Sequence, residues 1–527
     1  MIKLNKIKRN CVAAVILTMC LMTAGCARNS TSTTTASGGE TTITSDITKE
    51  DTDVTHADDA ENYRVSITGD FTVTSDTSDG VTQSGSVYTI TKAGEYTVAG
   101  LLSEGQLIVD AGDENEVTIV LNGTSITCSS GSPIYVKNAS EVKIKSEENS
   151  FNEVIDNRAE ATEDSSDDAG NAAIYATCDL KLVGKGALVV TANYNNGIQS
   201  KDDLSIKNVI VKVTAVNNAF KGNDAVDIES GNIIAISAKG DGIKTSNSSI
   251  SNKGNQKGIV TITGGNIDVY ATCDGIDAAY GVDISGDGNL NIYTDTYSEY
   301  SEEVTSSGSS SGTSAGHGSS GNKTASANTV YYVAASDTIA NAPGGFGGGN
   351  MGGMDGQNGG NKAGDDRPGM PGDFNESGNS SGQSYSTKGI KAESEISISG
   401  FTINICSTDD GIHANSDSGV LETGEDGKGT IVINGGSITI SSTDDGINAC
   451  TGDGKTSPIV NVTAGYIDVT TTSGDTDGID SNGNYVQTGG FVLVKGGSSS
   501  GNVSGSIDVD GTVTITGGTC VALGGVC

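Results

Sequence analysis

Five copies of one acidic phrase carry the groups in this chain that could do chemistry. They read GDGIKT (240–245), CDGIDA (273–278), STDDGIHA (407–414), STDDGINA (442–449) and TDGIDS (476–481). Asp241, Asp274, Asp410, Asp445 and Asp477 hold equivalent places before the glycine, and Asp409 and Asp444 stand one residue earlier. Related phrases without the acid, NNGIQS (195–200), NNAFKG (217–222) and KGIKA (388–392), extend the series. Two residues beyond the glycine comes a variable slot, held in turn by Gln199, Lys221, Lys244, Asp277, Lys391, His413, Asn448 and Asp480. Carboxylates gathered in turns, with amide and carbonyl neighbours, offer the oxygen-only donors that Ca2+ requires. Asp-Gly also has a purely conformational reading, in which Asp closes an Asx-turn and Gly supplies a positive φ. Repetition of the whole phrase favours calcium. The expected ligands are Asp241, Asp274, Asp277, Asp409, Asp410, Asp444, Asp445, Asp477 and Asp480. Lys244, Lys391, His413 and Asn448 are the expected contacts of a bound molecule.

The elements that must position these residues follow from their spacing. Gly197 to Ala219 and Gly389 to Gly411 are both steps of 22 residues, and the longer steps contain polar inserts such as SDSGVLETGEDGKG. Within a unit such as DLSIKNVIVKVTAV (203–216), apolar residues alternate with polar or small ones, the period of a strand. Self-similarity at a short fixed period marks a repeat architecture. Three short strands with Gly, Asn and Asp turns per unit predict an all-β fold, a right-handed parallel β-helix. A propeller blade of roughly 40 residues fits only if units are merged in pairs. No helical periodicity competes. In such a solenoid, units stack at roughly 4.8 Å. Aligned carboxylates then repel by roughly 1 kcal/mol per pair even in water, so something must neutralise them.

Composition agrees with this reading. A solenoid of 527 residues needs no division into domains, because it grows in one dimension. Seventy-five glycines against five prolines suit many tight turns. With 66 acidic and 30 basic residues, the net charge of −36 excludes nucleic acid and anionic lipid as direct electrostatic partners. An acidic ligand remains compatible, provided a divalent cation lies between. The absence of Trp weakens the stacking platform common in neutral-sugar sites.

At the N-terminus, a basic head, an apolar run from Cys11 to Met22 and Thr23-Ala24-Gly25-Cys26 make residues 1–25 a lipoprotein signal peptide. Cys26 is the expected lipidation site. It would hold a secreted product on the outer face of the cytoplasmic membrane, its contact with the membrane being that anchor. Residues 26–62, rich in Ser and Thr, form the expected solvated tether. The β-helix would fill 63–527, interrupted at 299–386 by a Gly/Ser-rich, disordered loop insertion that holds one strand-like run, TVYYVAAS (329–336). Seven cysteines, an odd number, follow Cys26 without a C-x-x-C pair, which leaves a zinc site unsupported.

The phrases KGIKA, STDDGIHA and STDDGINA, with IVINGGSITI between them and the opening ITKAGEYTVAG and EVTIVLNGTSIT, resemble a family of bacterial surface carbohydrate-binding β-helix proteins. That family is similar in fold to the family 9 pectate lyases. The resemblance runs from about residue 63 to the end, apart from the large insertion. It implies an association with calcium and with acidic plant polysaccharide. The DDGFD-like calcium motif of the lyases is matched in part by Cys273-Asp274-Gly275-Ile276-Asp277 and Thr476-Asp477-Gly478-Ile479-Asp480. In two other copies His413 or Asn448 replaces the last Asp.

Three functions follow as expectations. The first is a monomeric, non-catalytic module that binds acidic or plant-wall polysaccharide (pectin, polygalacturonate or cellulose) through Ca2+. The second is a polysaccharide lyase working by β-elimination, with Lys391, then Lys244, as the base. The third is a structural surface adhesin. No arginine stands in the motifs to clamp a uronate, which favours binding.

Overall fold

The computed structural model describes residues 54–161, 170–294, 330–333, 338–339, 386–415, 421, 427–451, 456–471, 476–496 and 505–523. The expected signal peptide, the expected lipidation site Cys26, most of the expected tether and most of the insertion lie outside them. Among the described residues the protein is all-β; the helical exception is one 3-10 turn, Ala60–Tyr63.

One repeat shows how the sequence builds the rest. Ile412–Ala414 is a strand of three residues. Thr430–Ser442 follows as a strand of thirteen, with register shifts around Asn434 and before Ser437 that bend it into two segments. Each repeat therefore offers three strand segments, as the spacing predicts. Every segment pairs in parallel with its equivalent one repeat later: Ile390 with Ile412, Ile412 with Ile447, Ile447 with Ile479 and Ile479 with Ile507. The long strands Glu395–Ser407, Thr430–Ser442, Ile459–Thr471, Asn484–Lys495 and Val513–Leu523 pair in the same order. Alternation sends Ile431, Ile433, Ile438 and Ile440 inward, where all four are buried. Parallel register then stacks them on Val460, Val462, Ile467 and Val469. Each buried aliphatic side chain contributes roughly 1.5–3 kcal/mol, and the columns make one continuous core.

The large insertion leaves this register untouched. Ile276–Ala278 pairs directly with Ile390–Ala392, and Gly281–Thr294 with Glu395–Ser407, so the chain departs and returns between adjacent repeats. The backbones of Val330–Val333 and Thr338–Ile339, within the insertion, pair antiparallel with the last strand, Val513–Leu523. At the other end, Thr72–Thr74 pairs antiparallel with Gly94–Leu102, and Val81–Ser84 forms a hairpin with Val87–Ile90. Antiparallel segments thus occupy edges that would otherwise invite pairing with another chain.

The tether ends earlier than its composition suggests. From Val54 the chain lies across the outer side of the long strands. Asn291 Nδ2 donates to Thr55 O (3.0 Å), Ala57 N–H to Asp268 Oδ2 (2.9 Å) and Asp58 N–H to Asn232 Oδ1 (3.3 Å). Lys212 pairs with Asp59 and Arg64 with Glu153. Ala60 is buried against Phe151, Ala187 and Val189. A segment with almost nothing apolar is ordered here because its polar groups meet a polar column on the strands.

Candidate metal centre

The short strands bring the slot residues into one line. Gln199, Lys221, Lys244, Asp277, Lys391, His413, Asn448 and Asp480 are successive register partners. Asp508 continues the line; its phrase is disguised in the sequence because Gly505 and Ser506 replace the Asp-Gly pair before the isoleucine.

The aspartates before the glycine serve the backbone first. Asp274 N–H donates to Asp241 Oδ1 (3.1 Å), Asp445 N–H to Asp410 Oδ1 (3.1 Å) and Asp477 N–H to Asp445 Oδ1 (2.8 Å). Asn196 and Asn218 accept from the next repeat in the same way, so a neutral amide suffices for this role. One position departs from a single column of five acids. Lys388 stands between Asp274 and Asp410, its N–H donating to Asp274 Oδ1 (2.8 Å), and divides the acids into two groups. The glycines also differ from the turn expectation, since those of the phrase are not among the glycines with positive φ. They are needed for close approach. A Cβ on Gly275 would overlap Ile292 and the Gly389 carbonyl, and one on Gly446 would overlap Val469 and the Gly478 carbonyl.

In the first group, carboxylate oxygens of Asp241, Asp274 and Asp277 all lie within 4.8 Å of one another. Lys244 bridges Asp241 (2.7 Å) and Asp277, and Lys391 stands 3.6 Å from Asp277 and 3.0 Å from Glu393. Burial, then the charges of Asp277 and Asp241, push Asp274 up to about 7. Burial opposes ionisation of Asp277 too, but Lys244 and Lys391 outweigh it and hold that carboxyl below its ordinary range. Both lysines are held above the ordinary lysine value: burial alone would lower them, and Asp277, with Asp241 or Glu393, outweighs it.

In the second group, oxygens of Asp409, Asp410 and Asp444 meet the same 4.8 Å limit. Lys388 Nζ lies 2.8 Å from Asp409 and 3.7 Å from Asp410, and His413 Nδ1 lies 2.6 Å from Asp410 Oδ2. Burial opposes the charge on Asp409, and Lys388 overcomes it, so that carboxyl sits below its ordinary value. Farther along, burial, then Asp410, push Asp445 up to about 8. Burial, then Asp477 and Asp508, push Asp480 to about 7.

Six of the nine aspartates thus lie in two carboxylate triads, while Asp445, Asp477 and Asp480 continue beside the second. Strand alternation, with Ile in the core, turns the slot outward, yet Lys391 and His413 keep only 23% and 12% of their side-chain surface exposed. Long side chains fold along neighbouring repeats to reach carboxylates. Lys388 escaped the sequence reading, although aligning KGIKA with the acidic phrases places it in the aspartate column.

In donor type and spacing the triads fit a hard cation. Two oxygens each 2.3–2.6 Å from a calcium ion lie at most about 5 Å apart. Lys244 and Lys391 already reach the first triad. Lys388 and His413 likewise reach the second, which differs in including exposed Asp444 and in lying beside Asp445 and Asp480, whose carboxyls are pushed up to about 8 and about 7.

Comparison with known proteins adds the following. A family model described as a carbohydrate-binding domain-containing protein matches residues 84–425. A carbohydrate-binding domain-containing protein of Acetivibrio thermocellus is 41% identical over 142 residues, 27% of this chain and 50% of that protein. The chain thus spans about half the length of the curated relative it matches. A solved structure described as a polysaccharide lyase-like protein from C. thermocellum, a gadolinium derivative, is 38% identical over 42% of this chain and 86% of that one, with a TM-score of 0.38.

Proposed function

This chain belongs to the carbohydrate-binding domain-containing protein family, and from that premise we propose that it binds an acidic polysaccharide through calcium, without cleaving it. The scaffold in this reading is a right-handed parallel β-helix, supported by the repeat-to-repeat parallel register of all three strand segments. The observation that carries the proposal is the second triad, Asp409, Asp410 and Asp444, with one member exposed to solvent. Asp410 is already oriented by its bond to the Asp445 amide, and Asp409 is kept ionised by Lys388. Calcium held there would supply a positive charge able to accept a uronate carboxylate, which a surface of net charge −36 would otherwise repel. Asn448 and Asp480 follow His413 as register partners in the next two repeats.

The lyase reading needs an unprotonated base near neutral pH. Lys391 and Lys244 are ion-paired and held above the ordinary lysine value, so neither is suited to that task. Cys26, if lipidated, would present the module at the cell surface; that part of the proposal rests on the N-terminal sequence.

The test uses retention on immobilised polygalacturonate with Ca2+ or with EDTA. Calcium should raise the melting temperature and be required for retention, and Asp409→Asn with Asp444→Asn should lose both effects. Retention in excess EDTA would refute the calcium bridge. Appearance of unsaturated-uronate absorbance would establish the lyase instead.

A further inference from the structure

We propose that Cys450, His413 and Asn415 form a site for a thiophilic divalent ion of the Zn2+ class, distinct from the carboxylate triads. Cys450 Sγ lies 3.5 Å from His413 Nε2 and 3.4 Å from Asn415 Oδ1. The backbone sets this convergence. His413 and Asn415 flank Ala414, which is the register partner of Ala449, and Cys450 N–H donates to Ala414 O (3.0 Å). The thiol is therefore delivered from one repeat onto the imidazole and amide of the repeat before it.

The imidazole is already set for ligation. Its Nδ1 is 2.6 Å from Asp410 Oδ2. With Nδ1 facing that carboxylate, Nε2 is the ring nitrogen turned towards the sulfur. A carboxylate behind the imidazole is the usual means by which proteins orient and strengthen a metal-binding histidine. The spacing also fits. A tetrahedral ion with sulfur at about 2.3 Å and nitrogen at about 2.0–2.1 Å separates the two by about 3.6 Å. A simple S–H···N hydrogen bond has a similar length, and the experiment below separates the two.

An oxygen in the adjoining repeat is also left without a partner. Asn448 Oδ1 is shielded from solvent and has no hydrogen-bond partner among the described residues. Asn448 is the register partner of His413 and lies two residues before Cys450. A bound ion, or water on it, would satisfy that oxygen. Thiolate and imidazole together select zinc-class ions over calcium, and fewer than four strong protein donors leave a position open to an exogenous ligand.

Co2+ serves as the spectroscopic probe, added to the reduced full chain in excess Ca2+ so that the carboxylates are saturated. A thiolate-to-cobalt charge-transfer band should grow to one equivalent and be displaced by Zn2+. Cys450→Ser should abolish the band while leaving the calcium-dependent melting shift unchanged, so failure here is distinguishable from failure of the calcium reading. His413→Gln, which keeps the thiol, should weaken cobalt binding at least tenfold. Absence of the band in the parent chain, or its persistence in Cys450→Ser at the parent affinity, would overturn the proposal and leave a hydrogen bond.

Discussion

Asp445 meets strong electrostatic opposition where it stands. Burial and the neighbouring Asp410 raise its carboxyl to about 8, whereas an unfolded aspartate titrates near 3.9. The sign of the consequence follows from linkage. Below pH 4 the carboxyl is protonated in both states and costs nothing. Between about 4 and 8 the unfolded chain releases a proton that the folded chain keeps, so stability falls as pH rises. Asp480 and Asp274, each at about 7, act in the same direction. Metal-free protein should therefore lose stability from pH 5 to pH 8. Asp445→Asn, which can still accept the Asp477 amide, should be more stable than the parent at pH 8 by roughly 1–3 kcal/mol and equal to it at pH 4. Urea titrations in EDTA at the two pH values check this. A parent chain more stable at pH 8 than at pH 5 would contradict it.

At the scale of the element, the three-residue strand works because its leading glycine lets two repeats approach. Gly446 sits where a Cβ would overlap the Val469 side chain and the Gly478 carbonyl, while Ile447 beside it fills the core. The phrase therefore alternates a residue that must be absent with one that must be large. Gly446→Ala should destabilise the protein by about 1–3 kcal/mol, the usual cost of overpacking a filled core. Ser129→Ala, at an exposed turn, is a suitable control near zero. Equal denaturation midpoints for parent and Gly446→Ala would show that the contact relaxes without strain.

At the scale of the whole described unit, the segment Val54–Arg64 ties together strands far apart in sequence. It contacts Asn291, Asp268, Asn232, Lys212 and Glu153 in order as it runs, and it covers Phe151 and Val189. A chain that starts at Val54 serves as the reference. Removing 1–64 should lower stability by about 1–3 kcal/mol, because the buried Asp268 carboxylate loses the Ala57 amide and Lys212 loses Asp59. Calorimetry of the two truncations decides it, and identical transitions would assign the segment no structural role.

The all-β class, the repeat period and the line of slot residues were legible in the sequence for one physical reason. Parallel pairing places each residue beside its equivalent one repeat later, so a repeated phrase becomes a column whatever lies between. Alternation likewise determined that Ile412 and Ile447 point inward. Even the 295–385 interval could be set aside, because Ile276 meets Ile390 regardless of its length. Tertiary structure alone decided what each charge meets. Lys244 reaches Asp277, 33 residues on, and Lys388 reaches Asp409, 21 on, because long side chains span between repeats, and periodicity is silent about reach. The same holds for the thiol of Cys450 on His413, and for a polar N-terminal segment ordered by polar groups on strands remote in sequence. Sequence period sets the address of a residue; side-chain length and the local cost of burying charge determine its partner.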